Sequence, residues 1–302
     1  QISNVRIGTL EKQIVIDDIA PTTVATTSGT LWKNIWYLGT TTVSLLAEDN
    51  AGGVGLARTE YSFDGNVWQS YATTSPIVVA AEGTPTLSYS SMDFVGNTED
   101  IKTLTINTGS VKWFLDDALT RLKGITTSNW EIDKATDAVE KDLAKVIADK
   151  AWLDRNRLSY PKGLFVVLNE VGVVRSLGDI LNKAGQKKNN VPAATQAQYH
   201  DAQNQIVQSS ALLAKLSFDK AKALKAKNTA GQKALDKAIS RIQKMMDRAL
   251  AKETKKPEQA VQLYGAAWFA SEALLKANGV TLFRAFDFGA LYIAEDMKDL
   301  VD

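Results

Sequence analysis

Cysteine is missing from this chain, and histidine occurs once, at position 200. The first absence removes disulfides, thiolate nucleophiles and sulfur-ligated zinc. The second removes multi-histidine metal centres, and any Ser-His-acid triad would have to form around His200, in the polar stretch ATQAQYHDAQNQ. No Gly-x-Ser-x-Gly elbow presents a serine, and no glycine-rich phosphate loop is present. Asp116-Asp117, Asp17-Asp18 and Asp296 with Asp299 read as exposed helix or linker residues rather than as the carboxylate pair of a glycosidase. The expectation is therefore a chain that is not an enzyme. Long apolar runs are missing too. GLFVVLNEVGVV is interrupted by Asn169 and Glu170 and falls well short of the roughly 20 residues that cross a bilayer, so no transmembrane segment is expected. QISNVRIGTLEKQ has no initiating Met and no apolar signal core. The chain reads as a mature form or an excerpt, with residues 1–16 as the end of a preceding module or a linker.

What is present belongs to a globular protein. In 302 residues, 45% are hydrophobic and 23% charged, which excludes a wholly disordered chain. The net charge of +1 hides a division: residues 1–111 hold five Lys/Arg against eleven Asp/Glu, and the remainder thirty against twenty-three. The two halves are different objects.

Between about residues 14 and 108 the chain is rich in Thr, Val, Tyr and Trp. TTTVSLLAED (40–49), ARTEYSF (57–63), PIVVAA (76–81), TPTLSYSSMD (84–93) and IKTLTIN (101–107) are strand candidates, broken at Gly52-Gly53, Asp64-Gly65, Glu82-Gly83 and Gly96-Asn97. Leu87 and Tyr89 share one face while Thr86, Ser88 and Ser90 take the other, the two-residue period of a half-buried strand. About seven such strands predict an antiparallel β-sandwich over residues 17–108.

Near residue 110 the period changes. Val111, Leu115, Ala118 and Leu122 begin a helical spacing, and Ile132, Ala135, Val139, Leu143 and Val146 form a second. Leu235, Ile239, Ile242, Met246 and Ala249 form another, and Val261, Tyr264, Trp268 and Leu275 follow Pro257, a residue suited to a first helical turn. Five or six helices with short connections predict an all-α antiparallel bundle over residues 109–302, with a sub-boundary near 185–192 and a tail from 280 to 302 that the pattern does not assign. ALAKETKKPEQAVQLYGAAWFASEALLKA resembles a tetratricopeptide helix pair, but one pair cannot build a solenoid, so Tyr264 and Trp268 read as ordinary core.

In YSFDGNVWQSY (61–71), Asp64-Gly65 supplies the positive φ of a tight hairpin turn flanked by Tyr61, Phe63, Trp68 and Tyr71. With IDDIAPTT, AEDNAGGVGLARTEYSFDGNVWQSY and AEGTPTLSYSSMDFVGNTEDIKTLTIN, this series resembles the bacterial Ig-like repeat in motif content and order, over roughly residues 14–108. Two features depart from the repeat: DDIAP carries a second acid, and SGTLWKNIWYLGT replaces a more polar turn. The resemblance implies an extracellular or cell-surface location, where such repeats space or present other domains of the same large protein. Residues 138–177 also resemble helical segments that follow such repeats and that have no assigned activity.

The acidic loops carry two readings. Asp17 and Asp18 in the linker, Asp49 after a strand, and Asp93 with Asn97 in a later turn can close turns with their own side chains, or they can gather oxygen ligands for Ca2+ at one end of a sandwich. For residues 219–256, with twelve Lys/Arg against four acids, the readings are a solvated helical face or an anionic partner. That partner would be a cell-surface polymer or, by self-association, the acidic β part of another copy. No aromatics interleave with these lysines, so nucleic acid is not expected. The function read from all this is a non-catalytic structural and presentation segment, an Ig-like spacer carrying a helical assembly or attachment domain. The alternatives are glycan binding through Trp32, Trp36, Trp68 and Tyr71, or an accessory region of a surface hydrolase whose catalytic domain lies outside this sequence.

Overall fold

The structure, a computed structural model, describes residues 2–7 and 10–277, with side chains described from Ile16 onward. The expected tail 280–302 lies outside the described residues. The chain divides after Gly109 into two compact units.

The first unit is built from antiparallel strands. Ile2–Ile7 (β1) and Leu10–Val15 (β2) pair with each other in antiparallel register, within the segment 1–16 that the sequence left as the end of a preceding module or a linker. Thr22–Trp32 (β3), Trp36–Glu48 (β4) and Ile77–Val79 (β7) form a sheet of order β3-β4-β7. Leu56–Ser62 (β5), Gln69–Ser70 (β6), Thr86–Asp93 (β8) and Lys102–Thr105 (β9) form a second, of order β6-β5-β8-β9. Side-chain alternation sends Val43 and Leu45 of β4, Ile77 and Val79 of β7, and Leu87 and Tyr89 of β8 into one apolar cluster with Ile106. Both sheets therefore cover the same core, and each fully buried aliphatic side chain there contributes about 1.5–3 kcal/mol.

Two turns differ from expectation or refine it. Asp64-Gly65 does not close a two-residue hairpin, because β5 and β6 pair through Tyr61 and Gln69, leaving a longer loop between them. The Asp64 Oδ1 accepts from the N–H groups of Asn66 (2.9 Å) and Val67 (2.8 Å) and from the Ser62 hydroxyl (2.9 Å), so a side chain organises the turn instead of the cross-strand backbone bond. SGTLWKNIWYLGT forms the facing ends of β3 and β4, joined through Lys33 and Asn34 at φ of 49° and 57°.

The second unit is helical: Val111–Lys123 (α1), Trp130–Ala148 (α2), Gly163–Ala184 (α3), Ala193–Lys222 (α4), Thr229–Leu250 (α5) and Pro257–Lys276 (α6). Ser110 caps α1 through the Trp113 N–H, Asn129 caps α2 through Glu131 and Ile132, and Asn228 caps α5 through Gly231. Trp152–Asp154 (β10) and Arg157–Leu158 (β11) make a small hairpin in the break between α2 and α3. The stretch 185–192 is a connection inside one unit, holding a single 3-10 turn at Lys187–Asn189, and α3 and α4 pack together on either side of it. Helix α6 packs against α3, α4 and α5 and buries Tyr264 and Trp268, the expected core aromatics, at 3% and 1% exposure. In α2 the buried stripe runs through Thr136, whose hydroxyl bonds the Ile132 carbonyl and the Tyr199 hydroxyl (2.7 Å), rather than through Ala135.

Close approach of α3 and α6 depends on Gly265, since a Cβ there would run into Val167 Cγ1. Gly172 in α3 has open space around the same position. Gly265→Ala is therefore expected to destabilise the helical unit by about 1–3 kcal/mol through overpacking. Gly172→Ala should stabilise it by about 0.5–1 kcal/mol through helix propensity. Thermal unfolding followed by far-ultraviolet circular dichroism compares the two; shifts of the same sign would contradict this packing.

Candidate functional site

The inward face of β8 runs Leu87, Tyr89, Ser91, Asp93, so the core of the first unit turns polar toward one end. There the Ser91 hydroxyl bonds those of Thr23 (2.6 Å) and Thr59 (2.8 Å). Asp93 is fully buried, and its Oδ1 accepts from the N–H groups of Val95 (2.9 Å), Gly96 (2.7 Å) and Asn97 (2.9 Å). The Asn97 amide donates to Asp93 Oδ2 (2.7 Å) and to the Asp17 carbonyl (2.9 Å), tying the loop after β8 to the segment that leads into β3.

Asp17 and Asp49 complete this corner. Asp17 Oδ2 accepts from the Val54 N–H (2.9 Å) and its Oδ1 from the Asn50 amide (2.9 Å) and the Ile19 N–H (3.2 Å). The Val54 N–H, helped by Asn50 and Ile19, holds the Asp17 carboxyl below its ordinary range. Asp49 accepts from the N–H groups of Asn50 (2.9 Å) and Gly55 (2.6 Å). One oxygen from each of Asp17, Asp49 and Asp93 lies within 4.8 Å of the others. Gly53 keeps the space between them open: a Cβ there would stand 2.5 Å from Asp49 Oδ2 and 2.8 Å from Asp17 Oδ2.

Of the residues expected from sequence, Asp17, Asp49 and Asp93 converge, Asn97 bonds two of those residues, and Asp18 is exposed and outside the group. Asn50 and Gly53 were not foreseen; their signal was the run Asp49-Asn50-Ala51-Gly52-Gly53, a polar turn with two adjacent glycines. The Oδ1 atoms mostly serve the turns. The Oδ2 atoms of Asp17, Asp49 and Asp93 each accept one donor and keep a lone pair. This all-oxygen donor set suits a hard divalent cation such as Ca2+, which takes six to eight oxygens.

Trp32 is 4% exposed with the Lys33 ammonium 5.1 Å from its ring centre, and Trp36, Trp68 and Tyr71 are half-buried. In the helical unit, His200 is exposed on α4, Asp116 pairs with Arg155 (3.1 Å), and Asp117 pairs with Arg121 (2.6 Å). Helix α5 carries a cationic stripe. Lys233, Lys237, Arg241, Lys244 and Arg248 are exposed, and at 100° per residue they fall within about 80° of arc along ~22 Å. Among the described residues none of them is in an ion pair. The buried stripe of α5, Leu235, Ala238, Ile242 and Ala249, lies on the other side. No described helix is long and apolar enough to cross a membrane. Comparison with family models, curated proteins and solved structures returns no match for this chain.

Gly53→Ala is expected to destabilise the first unit by about 1–3 kcal/mol, because its methyl would enter the space between two carboxylates. The pH dependence follows from Asp17. Its folded pKa lies below the ordinary 3.8, so its contribution is present above that pH and is lost as pH falls through the lower folded value. Asp17→Asn should flatten the acid unfolding curve below pH 3.8; a curve that superimposes on the wild type would count against this role.

Proposed function

We propose that this chain is a non-catalytic structural and presentation segment of a large extracellular or cell-surface protein. In this reading the two sheets over one core are an Ig-like β-sandwich acting as a spacer, and the helices after Gly109 are a bundle used for attachment. The observation that carries it is the corner where the Asp17 segment enters. A chain that must transmit orientation from one module to the next needs its linker held against the loops, and here Asp17 is bonded to Asn50, Val54 and Asn97. Asp17, Asp49 and Asp93 would hold a Ca2+ ion at this corner, with Asn97 positioning Asp93 beside it, which would offset the repulsion of clustered carboxylates and stiffen the junction. The α5 stripe gives the helical part its attachment surface, and the reading assigns it an anionic cell-surface polymer of repeating phosphates. The burial of Trp32 argues against the glycan alternative.

Two measurements test the parts separately. With roughly 10 mM Ca2+ and the Kd of about 10⁻⁴–10⁻³ M usual for extracellular modules, mass action stabilises the first unit by about 1.4–2.7 kcal/mol over a chelated sample. Asp49→Ala should abolish that difference. Identical melting curves with and without chelator would remove the metal from the proposal. Binding to poly(glycerol phosphate) should weaken with salt, and Lys237→Gln, Arg241→Gln and Lys244→Gln together should lower affinity and flatten the salt dependence. Unchanged binding would remove the stripe.

A further inference from the structure

Glu170 of α3 is 0% exposed, yet it faces no cation. The Ser210 hydroxyl of α4 donates to its Oε2 at 2.6 Å, while its Oε1 is buried with no partner. Gln262 of α6 is 7% exposed, and its Oε1 is also buried with no partner.

The helix register relates these two atoms. Gly163 meets the Trp268 ring, Val167 meets Gly265, and the Arg175 guanidinium bonds Glu258 (2.6 Å), so each advance along α3 is matched by a retreat along α6. Three residues on from Val167 is Glu170; three residues back from Gly265 is Gln262. The two orphaned oxygens thus sit at one level of an antiparallel pair. An ionised carboxylate and an amide carbonyl are both acceptors, so neither can satisfy the other. We infer that Glu170 is a neutral carboxylic acid whose Oε1–H is donated to the Gln262 side-chain carbonyl, a latch between α3 and α6.

One proton then satisfies both buried oxygens, and the remaining carboxyl oxygen keeps the Ser210 bond. The electrostatics agree. Burial raises the Glu170 carboxyl from 4.5 to about 8, opposed only by the Ser210 hydrogen bond. The Ser210 hydroxyl of α4 bonds it, Gln262 of α6 stands level with it by the helix register, and no charged neighbour contributes to the shift. The nearby charges of these three helices, Arg175, Lys215 and Glu258, are surface side chains. Since the folded form holds a proton that the unfolded chain releases near 4.5, the stabilisation is complete below that pH and is lost as pH rises to about 8. Above it the proton leaves to solvent, and a charged carboxylate is left opposite the Gln262 carbonyl with no proton between them. The helical unit is therefore latched in acidic to neutral media and loosened in alkaline ones. This inference does not depend on the proposed function.

The test is urea unfolding of the full chain, wild type against Glu170→Gln, followed by helical circular dichroism from pH 5 to 9. Glutamine reproduces the neutral acid, with an N–H for Gln262 and a carbonyl for Ser210. The wild-type unfolding constant relative to the variant should rise about tenfold per pH unit from 5 upward and level off above about 8. Parallel profiles would overturn the latch. So would failure of Glu170→Gln to fold at neutral pH, because a neutral site accepts a neutral isostere. A second readout needs only the wild type: a protonated-carboxyl C=O stretch in the infrared should persist at pH 7, where ordinary carboxyls are ionised, and vanish by pH 9. Its absence at pH 7 would also overturn the assignment.

Discussion

A polar atom taken out of water must find a partner inside the fold or weaken it, and both units of this protein are shaped around that demand. In the strand unit the solution is backbone. Asp93, fully buried, collects three consecutive N–H groups from the turn that follows it, and Asn97 passes the connection on to the Asp17 segment. Glu99 answers the same demand at its Oε2, which accepts from the Thr23 N–H (2.9 Å) and the Lys102 ammonium (2.8 Å). Burial pushes its carboxyl up, but Lys102 and Thr23 outweigh that and hold it below the ordinary range. In the helical unit backbone groups are already spent within the helices, so Glu170 has only the Ser210 hydroxyl and, in the reading argued above, a proton of its own.

The same constraint separates two kinds of charge. Charges at the acidic corner are ordered by many short bonds, and one oxygen from each of Asp17, Asp49 and Asp93 lies within 4.8 Å of the others. The basic side chains Lys233, Lys237, Arg241, Lys244 and Arg248 of α5 are solvated and run along one exposed face.

Much of the architecture was legible because burial imposes periodicity. The two-residue alternation of Leu87 and Tyr89 and the helical spacing of Val139, Leu143 and Val146 appear in the structure as buried faces. The break expected at 185–192 falls between α3 and α4. Three of the five expected ligands, Asp17, Asp49 and Asp93, meet because acids placed at strand ends are carried to a common edge by the sheets. The β10–β11 hairpin went unseen because WLDRNRL is too short to show a period. At Asp64-Gly65 the expected positive φ is present at Gly65 and antiparallel strands flank it, but the loop is longer than a tight turn because the Asp64 carboxylate collects N–H groups of its own.

By itself, the sequence determined the order of strands before helices, the faces that turn inward, the split in charge and the absence of thiol chemistry. All of these are properties of local spacing and composition. Only the tertiary structure decided that Asp18 stands outside the corner, that Gly53 keeps it open, that Trp32 is buried, and that Glu170 lies level with Gln262. Those outcomes depend on which distant residues come to share one small volume, and periodicity along a chain carries no record of that.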